Sequence, residues 1–242
     1  MPALLLIAHG SRDPRHAATV AALVEQVRAQ RPALEVATAY LDHCAPRIPQ
    51  VVGRLTDAVA VPLLLNRAFH AKHDVPAALR AAGAGLPVAD VLGPSPLLLA
   101  ALDRRLAEAG LDLDSAVVRA RTGVVLAAAG SSDPAADAAT RALAAEWRRS
   151  RGWAAVEVAY ASASGPRVPE ALAALRAAGA RQTAVAPYLL APGLLPDRIA
   201  AAAAGADVLA GTLGPAPELA ALLLQRYDQA RLAAVAVPAL TA

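Results

Sequence analysis

Short apolar runs alternate with longer amphipathic stretches along the whole chain. In the first half, the apolar runs cover residues 3–8, 35–41, 58–65 and 88–92. Continuous apolar runs of this length are typical of strands that are buried on both faces of a parallel sheet. The stretches between them predict helices, three of which begin with proline, a residue that suits the first helical turn; they cover residues 14–30, 46–55, 74–82 and 96–109.

The second half repeats this order of elements. Its apolar runs cover residues 123–128, 156–160, 183–189 and 207–209. A strand followed by a helix, four times over in each half, predicts mostly parallel sheets with right-handed crossovers. We therefore expect an α/β fold of two homologous domains, each with a sheet of about four strands flanked by helices.

Sequence identity between the halves supports the same division. Residues 8–13 read Ala-His-Gly-Ser-Arg-Asp and residues 128–133 read Ala-Ala-Gly-Ser-Ser-Asp, with a proline after each. Residues 46–49 match residues 166–169 in the same way, and further matches follow in the same order. A repeat of this length indicates two homologous units. The predicted domains are residues 1–112 and 122–242, with a linker in the segment from 110 to 121.

The composition excludes several classes of protein. Hydrophobic residues make up 57% of the chain and charged residues 18%, which is incompatible with a disordered chain. The apolar segment 183–196 contains three prolines and is shorter than the roughly 18–20 residues of a membrane span. The chain has seven aromatic residues and no basic run, so we expect no nucleic-acid partner. One cysteine and no recognisable signal peptide favour a cytoplasmic location.

Candidate chemistry follows the first three predicted strands. Ligands of open α/β sheets bind at the carboxyl ends of the strands, where the sequence places His9, Asp42 and His70. His9 and His70 together could hold one transition-metal ion with positions left open for a substrate. The alternative for His9 is a half-buried histidine bonded to a backbone carbonyl. The alternative for His73 is a solvent-exposed residue at the start of a helix.

The remaining polar residues of these loops have competing interpretations. Asp42 could be a ligand, a proton acceptor or a helix cap. His43 and Cys44 are adjacent, and adjacent residues of an extended chain point in opposite directions, so we do not pair them. Cys44 is expected to be an unreactive small residue, and His16 in the first helix is expected at the surface.

The repeat supplies an internal comparison for the histidines. His9 corresponds to Ala129, and all five histidines lie in the first half. The predicted scaffold is therefore present twice, whereas the candidate chemistry is present once. This asymmetry predicts one active site, on the N-terminal domain.

At these residues the chain resembles the class II tetrapyrrole chelatases of the sirohydrochlorin cobaltochelatase and ferrochelatase type, in their two-domain, single-chain form. The motifs are Ala8-His9-Gly10-Ser11-Arg12 after the first strand, His70-x-x-x-Asp74-Val75-Pro76 after the third, and the Gly93-Pro94 step. The likeness extends over essentially the whole chain.

The resemblance implies ATP-independent insertion of Fe²⁺ or Co²⁺, with Ni²⁺ also suited to the ligands, into sirohydrochlorin for sirohaem or cobalamin biosynthesis. His9 and His70 would bind the metal and act in catalysis. The family often has Glu at the position of Asp42. We expect no cofactor beyond the metal, and a monomer, since two fused halves could replace a homodimer of single domains. The carboxylates of the macrocycle could pair with basic residues of the same edge, Arg12, Arg15, Arg47, Arg67 and Lys72. Ser11 and Asp42 are further candidates for binding the substrate.

Two other functions are compatible with parts of the sequence. Histidine-nucleophile phosphatases use an Arg-His-Gly motif, but Ala8 stands here where that arginine would be. A non-catalytic carrier of metal or tetrapyrrole could share the chelatase scaffold. Such a carrier would bind the macrocycle without producing its metallated form.

Overall fold

The fold is described by a computed structural model that covers residues 1–66, 73–162 and 165–236. Strands and helices alternate along these residues. In chain order they are β1 (Ala3–Ala8), α1 (Pro14–Gln30), β2 (Val36–Tyr40), α2 (Ile48–Val52), β3 (Ala58–Pro62), α3 (Val75–Ala81), α4 (Pro96–Glu108), α5 (Ala116–Arg119), β4 (Thr122–Ala128), α6 (Pro134–Arg151), β5 (Ala155–Tyr160), α7 (Val168–Ala177), β6 (Gln182–Tyr188), α8 (Leu194–Ala202), β7 (Val208–Leu209) and α9 (Pro217–Ala236).

The chain forms two compact units. Unit 1 consists of Met1–Leu97 together with Pro215–Ala242, and unit 2 consists of Leu98–Gly214. Each unit contains one parallel sheet with helices packed against it. The predicted α/β class and the pair of similar sheets are confirmed.

The sheet of unit 1 has the strand order β2-β1-β3. All six residues of the central strand β1 are buried, which explains the unbroken apolar run. One face of the sheet packs against α2 and α3 in a cluster that includes Leu5, Ile7, Ile48 and Leu79. The three strands are parallel, so their carboxyl ends meet at one edge of the sheet.

The sheet of unit 2 has the strand order β5-β4-β6-β7. Its central strand β4 is also buried along its whole length. Val125, Leu172, Leu175 and Ile199 belong to the core cluster between this sheet and helices α7 and α8. The second unit therefore repeats the architecture of the first around its own core.

The last predicted strand of the first half is absent as a strand. Val88 makes an isolated parallel bridge with Ala60, and the Leu92 N–H donates to the Leu64 carbonyl at 2.9 Å. The segment from 88 to 92 thus runs alongside β3, but too few of its consecutive residues are paired by backbone hydrogen bonds to form a strand. The described sheet of unit 1 consequently has three strands, whereas about four were expected.

The boundaries of the units differ from those of the sequence repeat. Helix α4 ends the first half of the sequence but belongs to unit 2, where Asp103 accepts a 2.8 Å hydrogen bond from Trp147. Helix α9 ends the second half but belongs to unit 1, where Asp228 binds Arg31 through two bonds of 2.8 and 2.7 Å. The two halves have thus exchanged their last helices. The predicted domains 1–112 and 122–242 follow the repeat, and the compact units divide the chain at other residues.

The predicted linker also lies inside unit 2. Its residues include helix α5, whose first turn is capped by the Ser115 hydroxyl. Arg119 of this helix donates to the Arg151 carbonyl at 3.0 Å. The chain passes from one unit to the other at residues 97–98 and 214–215 instead.

Over the residues that the structure covers, none of the helices combines the length and apolar character that crossing a membrane would require.

Candidate metal and substrate site

The loop after β1 is a capped strand-to-helix turn. The Ser11 hydroxyl accepts the Asp13 N–H at 3.1 Å, and the Asp13 carboxylate accepts the Arg15 N–H at 2.9 Å. Asp13 thereby satisfies one of the unpaired N–H groups at the start of α1, as an N-cap residue does. These bonds fix the end of β1 and therefore the position of His9, the next residue.

The loops after β1 and β2 are bonded to each other. The Leu41 and Asp42 N–H groups donate to the carbonyls of Ala8 and His9 at 2.9 and 2.8 Å. Gly10 has a φ of +91°, and a Cβ at this position would lie 1.8 Å from the Asp42 carbonyl oxygen. Only glycine therefore permits this approach. The two loops form one rigid edge that holds the side chains of positions 9 and 42–44.

Cys44 strengthens the same connection. Its thiol donates to the Ser11 carbonyl at 3.0 Å, and the Ser11 N–H approaches its sulfur at 3.5 Å. The thiol is thus engaged with the backbone of the neighbouring loop. This agrees with the interpretation of Cys44 as a small structural residue.

His9 follows the buried end of β1 and is half-buried. Its Nδ1 lies 3.0 Å from the Gly10 carbonyl oxygen. A carbonyl can only accept, so Nδ1 carries the proton and Nε2 keeps its lone pair. This is the tautomer in which a histidine can bind a metal through Nε2, with its other nitrogen held by a hydrogen bond.

Asp42 is surrounded by donors. Its carboxylate accepts the His43 N–H at 2.8 Å and an Arg47 guanidinium N–H at 3.0 Å. The hydrogen bond from the His43 backbone and the Arg47 guanidinium hold the pKa of the Asp42 carboxyl below its usual value. Asp42 is therefore ionised at neutral pH. It does not cap α2, whose first residue follows Arg47.

His43 lies beside His9, a proximity that the sequence interpretation did not predict. Among the described non-glycine residues it alone has a positive φ, of +61°. Its ring centre lies 6.4 Å from that of His9, and its Nε2 lies 3.4 Å from an Asp42 carboxylate oxygen. The extended geometry assumed for positions 43 and 44 is wrong, because the chain turns at His43. A left-handed conformation costs a non-glycine residue about 1–2 kcal/mol, so the surrounding bonds must hold it.

His16 contradicts its expected surface position. It is half-buried, its ring centre lies 6.4 Å from that of Tyr40, and its Nδ1 is buried without a hydrogen-bond partner. Burial, and to a smaller extent the neighbouring His9, lower the pKa of His16. His16 is thus a neutral imidazole at neutral pH, and it lies next to Tyr40.

The structure describes some of the other predicted site residues and not the rest. Arg12 is exposed, and Arg47 donates to the Leu41 carbonyl at 2.6 Å as well as to Asp42. His70 and Lys72 lie outside the described residues, as does Arg67. His73 is exposed just before α3, as expected for a helix start. Within the described ranges, no three His, Cys, Asp or Glu residues are arranged to hold a metal ion.

Comparison of the two repeats shows which features of the loops are shared and which are confined to the first repeat. Gly130 has the φ of Gly10, Ser131 accepts the Asp133 N–H at 3.1 Å, and Arg167 donates to the Tyr160 carbonyl at 3.0 Å. The positions of His9, Asp42, His43 and Cys44, in contrast, hold residues without metal-binding groups, Ala129, Ser162, Ala163 and Ser164.

The backbone at the position of His9 does not require a histidine side chain. The Ser162 N–H donates to the Ala129 carbonyl at 2.9 Å, as the Asp42 N–H does to His9. The loop thus forms with alanine in place of His9, which argues against a purely structural reason for that histidine. The Ser11 bond recurs at Ser131, and the N–H of Arg47, like that of Arg167, donates to the side chain three residues further on. Contacts of Ser11 and Arg47 to a substrate stay predictions.

Comparison with known proteins agrees with this division into repeats. The family model described as CbiX matches twice, over residues 3–109 and 123–230. A sirohydrochlorin ferrochelatase of Priestia megaterium is 28% identical over 209 residues, which are 82% of this chain and 77% of the relative. A sirohydrochlorin cobaltochelatase of the same organism is 26% identical, over 95% of this chain and 80% of the relative.

A solved structure shows the same fold. SirB from Bacillus subtilis with Fe³⁺ superposes with a TM-score of 0.78 at 24% identity, over 95% of this chain and 96% of that protein. The likeness extends over both units. At this identity the likeness shows that the two proteins share a fold. Since the two matches to the family model together span most of the sequence, the chain belongs to the CbiX family.

Proposed function

We propose that this protein is a sirohydrochlorin chelatase that inserts a divalent metal, Fe²⁺ or Co²⁺, into the macrocycle without ATP. The observation that carries the proposal is His9, a half-buried histidine at the carboxyl end of the central strand with its Nδ1 held by the Gly10 carbonyl. Its Nε2 lone pair can accept a metal ion. The similarity to relatives named as ferrochelatase and cobaltochelatase supports the choice of macrocycle.

The reaction needs groups that the edge of this sheet can supply. Metallation removes two pyrrole protons and adds one divalent cation. A neutral imidazole can bind the metal and can also accept a proton near pH 7. His70 is proposed as the second metal-binding histidine, which leaves open coordination positions so that the ion can be released to the macrocycle.

Charge at the same edge suits a substrate that carries carboxylates. Arg12 is exposed, and Arg47 is fixed by two hydrogen bonds within its loop. Guanidinium groups bind carboxylates through paired hydrogen bonds. Arg12, Arg47 and Lys72 are therefore proposed to bind the macrocycle rim, with Ser11 and Asp42 beside them. We further propose a cytoplasmic monomer that uses no cofactor beyond the metal itself.

An anaerobic absorbance assay tests the proposal. Sirohydrochlorin is mixed with Co²⁺ or Fe²⁺ and the wild-type protein, His9→Ala or His70→Ala. The wild type is expected to accelerate metallation above the spontaneous rate. Each variant should lower that rate by about tenfold or more, as loss of a metal-site residue does, while it still binds the macrocycle.

The control is His73→Ala, which removes an exposed histidine at a helix start and should keep the wild-type rate. A wild-type protein that binds the macrocycle without accelerating metallation would be a carrier. A protein that neither binds nor accelerates would share only the fold with its relatives.

A further inference from the structure

His43 has the setting of a metal-binding histidine. Ligating histidines usually donate their second ring N–H to a carboxylate or a carbonyl, which fixes the tautomer and the ring orientation. The Nε2 of His43 lies 3.4 Å from the Asp42 carboxylate, which is itself bonded to Arg47. A neutral His43 ring that donates from Nε2 to this carboxylate would keep its lone pair on Nδ1.

The turn that places this ring is built from several bonds. The Cys44 N–H donates to the Asp42 carbonyl at 2.7 Å, and the His43 N–H donates to the Asp42 carboxylate at 2.8 Å. These bonds hold His43 at a positive φ, which non-glycine residues seldom adopt. Backbone strain that is maintained in this way is concentrated at functional sites.

The separation of the rings of His9 and His43 fits one shared ion. With metal–nitrogen distances of about 2.1 Å, two imidazoles on one ion have ring centres roughly 5 Å apart at a tetrahedral angle and roughly 6.5 Å apart when opposite. The observed separation is 6.4 Å, with a 46° angle between the ring planes. A tetrahedral angle at a shared ion would need the two ring centres to approach by about 1 Å, with the two ligating nitrogens turned toward the ion.

The second repeat carries alanine at this position, Ala163, just as it carries Ala129 at the position of His9. Both imidazoles are thus confined to the same unit and the same edge. The His43 side chain is 33% exposed, so an ion from solution can reach it.

We propose that His43 binds the incoming divalent metal together with His9, through Nδ1, with Asp42 as the residue that orients it. The inference rests on the proposed function, in which the metal is a substrate. Borderline ions such as Fe²⁺, Co²⁺, Ni²⁺ and Zn²⁺ are the class that such a site takes.

The test uses Zn²⁺ alone, without macrocycle, on protein labelled with ¹⁵N in its histidine rings. The His43 Nδ1 and the His9 Nε2 resonances are expected to shift together as Zn²⁺ is added. His43→Asn keeps a residue that tolerates positive φ, and it should raise the Kd for Zn²⁺ by about tenfold or more. His43→Ala, which restores the residue of the second repeat, should have the same effect.

The matched control is His73→Asn, the same substitution at an exposed histidine, which should leave the Kd for Zn²⁺ unchanged. Unfolding midpoints of all variants are measured alongside, so that a misfolded variant is recognised. An unchanged Kd in a folded His43→Asn, a His43 resonance that stays in place while that of His9 moves, or no saturable Zn²⁺ binding by the wild type would each overturn the inference.

Metallation kinetics distinguish this inference from the proposed function. In a chelatase, His43→Asn should raise the KM for Co²⁺ by about tenfold or more and leave the KM for sirohydrochlorin unchanged. If Zn²⁺ binding depends on His43 but the wild type does not accelerate metallation, the metal site stands and the chelatase function fails. If metallation is accelerated and neither constant depends on His43, the function stands and this inference fails.

Discussion

Replacing Gly10 by alanine tests the close contact between the two loops of the candidate site. Alanine at a φ of +91° costs about 1–2 kcal/mol. Its Cβ would lie 1.8 Å from the Asp42 carbonyl oxygen, so the loop after β2 must move to reach an ordinary contact distance. That movement breaks the bonds of Leu41 to Ala8 and of Asp42 to His9, at about 1 kcal/mol each. Gly10→Ala is therefore expected to lower the free energy of unfolding by about 3–4 kcal/mol.

Hydrogen exchange of the β1 amides in increasing urea measures this loss in unit 1. Tryptophan fluorescence would report the other unit, because Trp147 and Trp153 both lie in unit 2. The control is Gly83→Ala in the same unit. Gly83 also has a positive φ, of +67°, but a Cβ there meets no atom within 4 Å. It should cost only the backbone strain of about 1–2 kcal/mol.

The same pair of variants separates stability from function. Gly10→Ala displaces the segment that holds Asp42 and His43, so it should abolish the acceleration of metallation even at temperatures where the variant is folded. Gly83→Ala should retain that acceleration. Equal destabilisation by the two substitutions would refute the reasoning, because it would mean that the contact between the loops yields without cost.

Two further predictions concern the exchanged helices. Arg31 lowers the pKa of the Asp228 carboxyl through their hydrogen bonds, so the stabilisation from this pair is present above the unfolded pKa near 3.8 and is lost as the pH falls through the folded pKa. Asp228→Asn should thus cost unit 1 stability at pH 7 and little at pH 3, relative to Asp57→Asn, a control at an exposed aspartate of the same unit. Equal costs at both pH values in urea titrations would contradict this. Trp147→Phe leaves the buried Asp103 oxygen without its N–H donor and should cost unit 2 about 1–3 kcal/mol. A thermal unfolding midpoint equal to that of the wild type, measured by circular dichroism, would contradict that expectation.

The strands and the repeat could be predicted because they depend on burial. Strand β1 begins and ends at the bounds that the sequence predicts, residues 3 and 8, because both of its faces are covered and every residue in it is apolar. Helix α1 likewise matches its predicted range, because Asp13 caps it and Pro14 opens it. Where burial is less continuous, as over residues 88–92, the apolar run gave no strand.

The exchange of helices could not be predicted from the pattern. An amphipathic helix such as α4 shows which of its faces is buried, but not which of two similar sheets covers that face. Nor did the pattern reveal the turn at His43, whose positive φ depends on bonds from Asp42 and on the close approach of Gly10. His9 was predictable because it directly follows a strand end, whereas His43 depends on the contact between two loops.

The exchanged helices also determine the order in which the two units can be completed during synthesis. Unit 2 is one continuous run, Leu98–Gly214, so all of its residues are synthesised before those of α9. Unit 1 joins Met1–Leu97 to Pro215–Ala242, and its first segment must wait for the last helix. Contacts over such long separations slow folding. The unit that carries the histidines is therefore the first to begin and the last to be finished, and until then the surface that α9 will cover, including the carbonyl of Pro2 that accepts the Tyr227 hydroxyl, stays open to solvent and to chaperones.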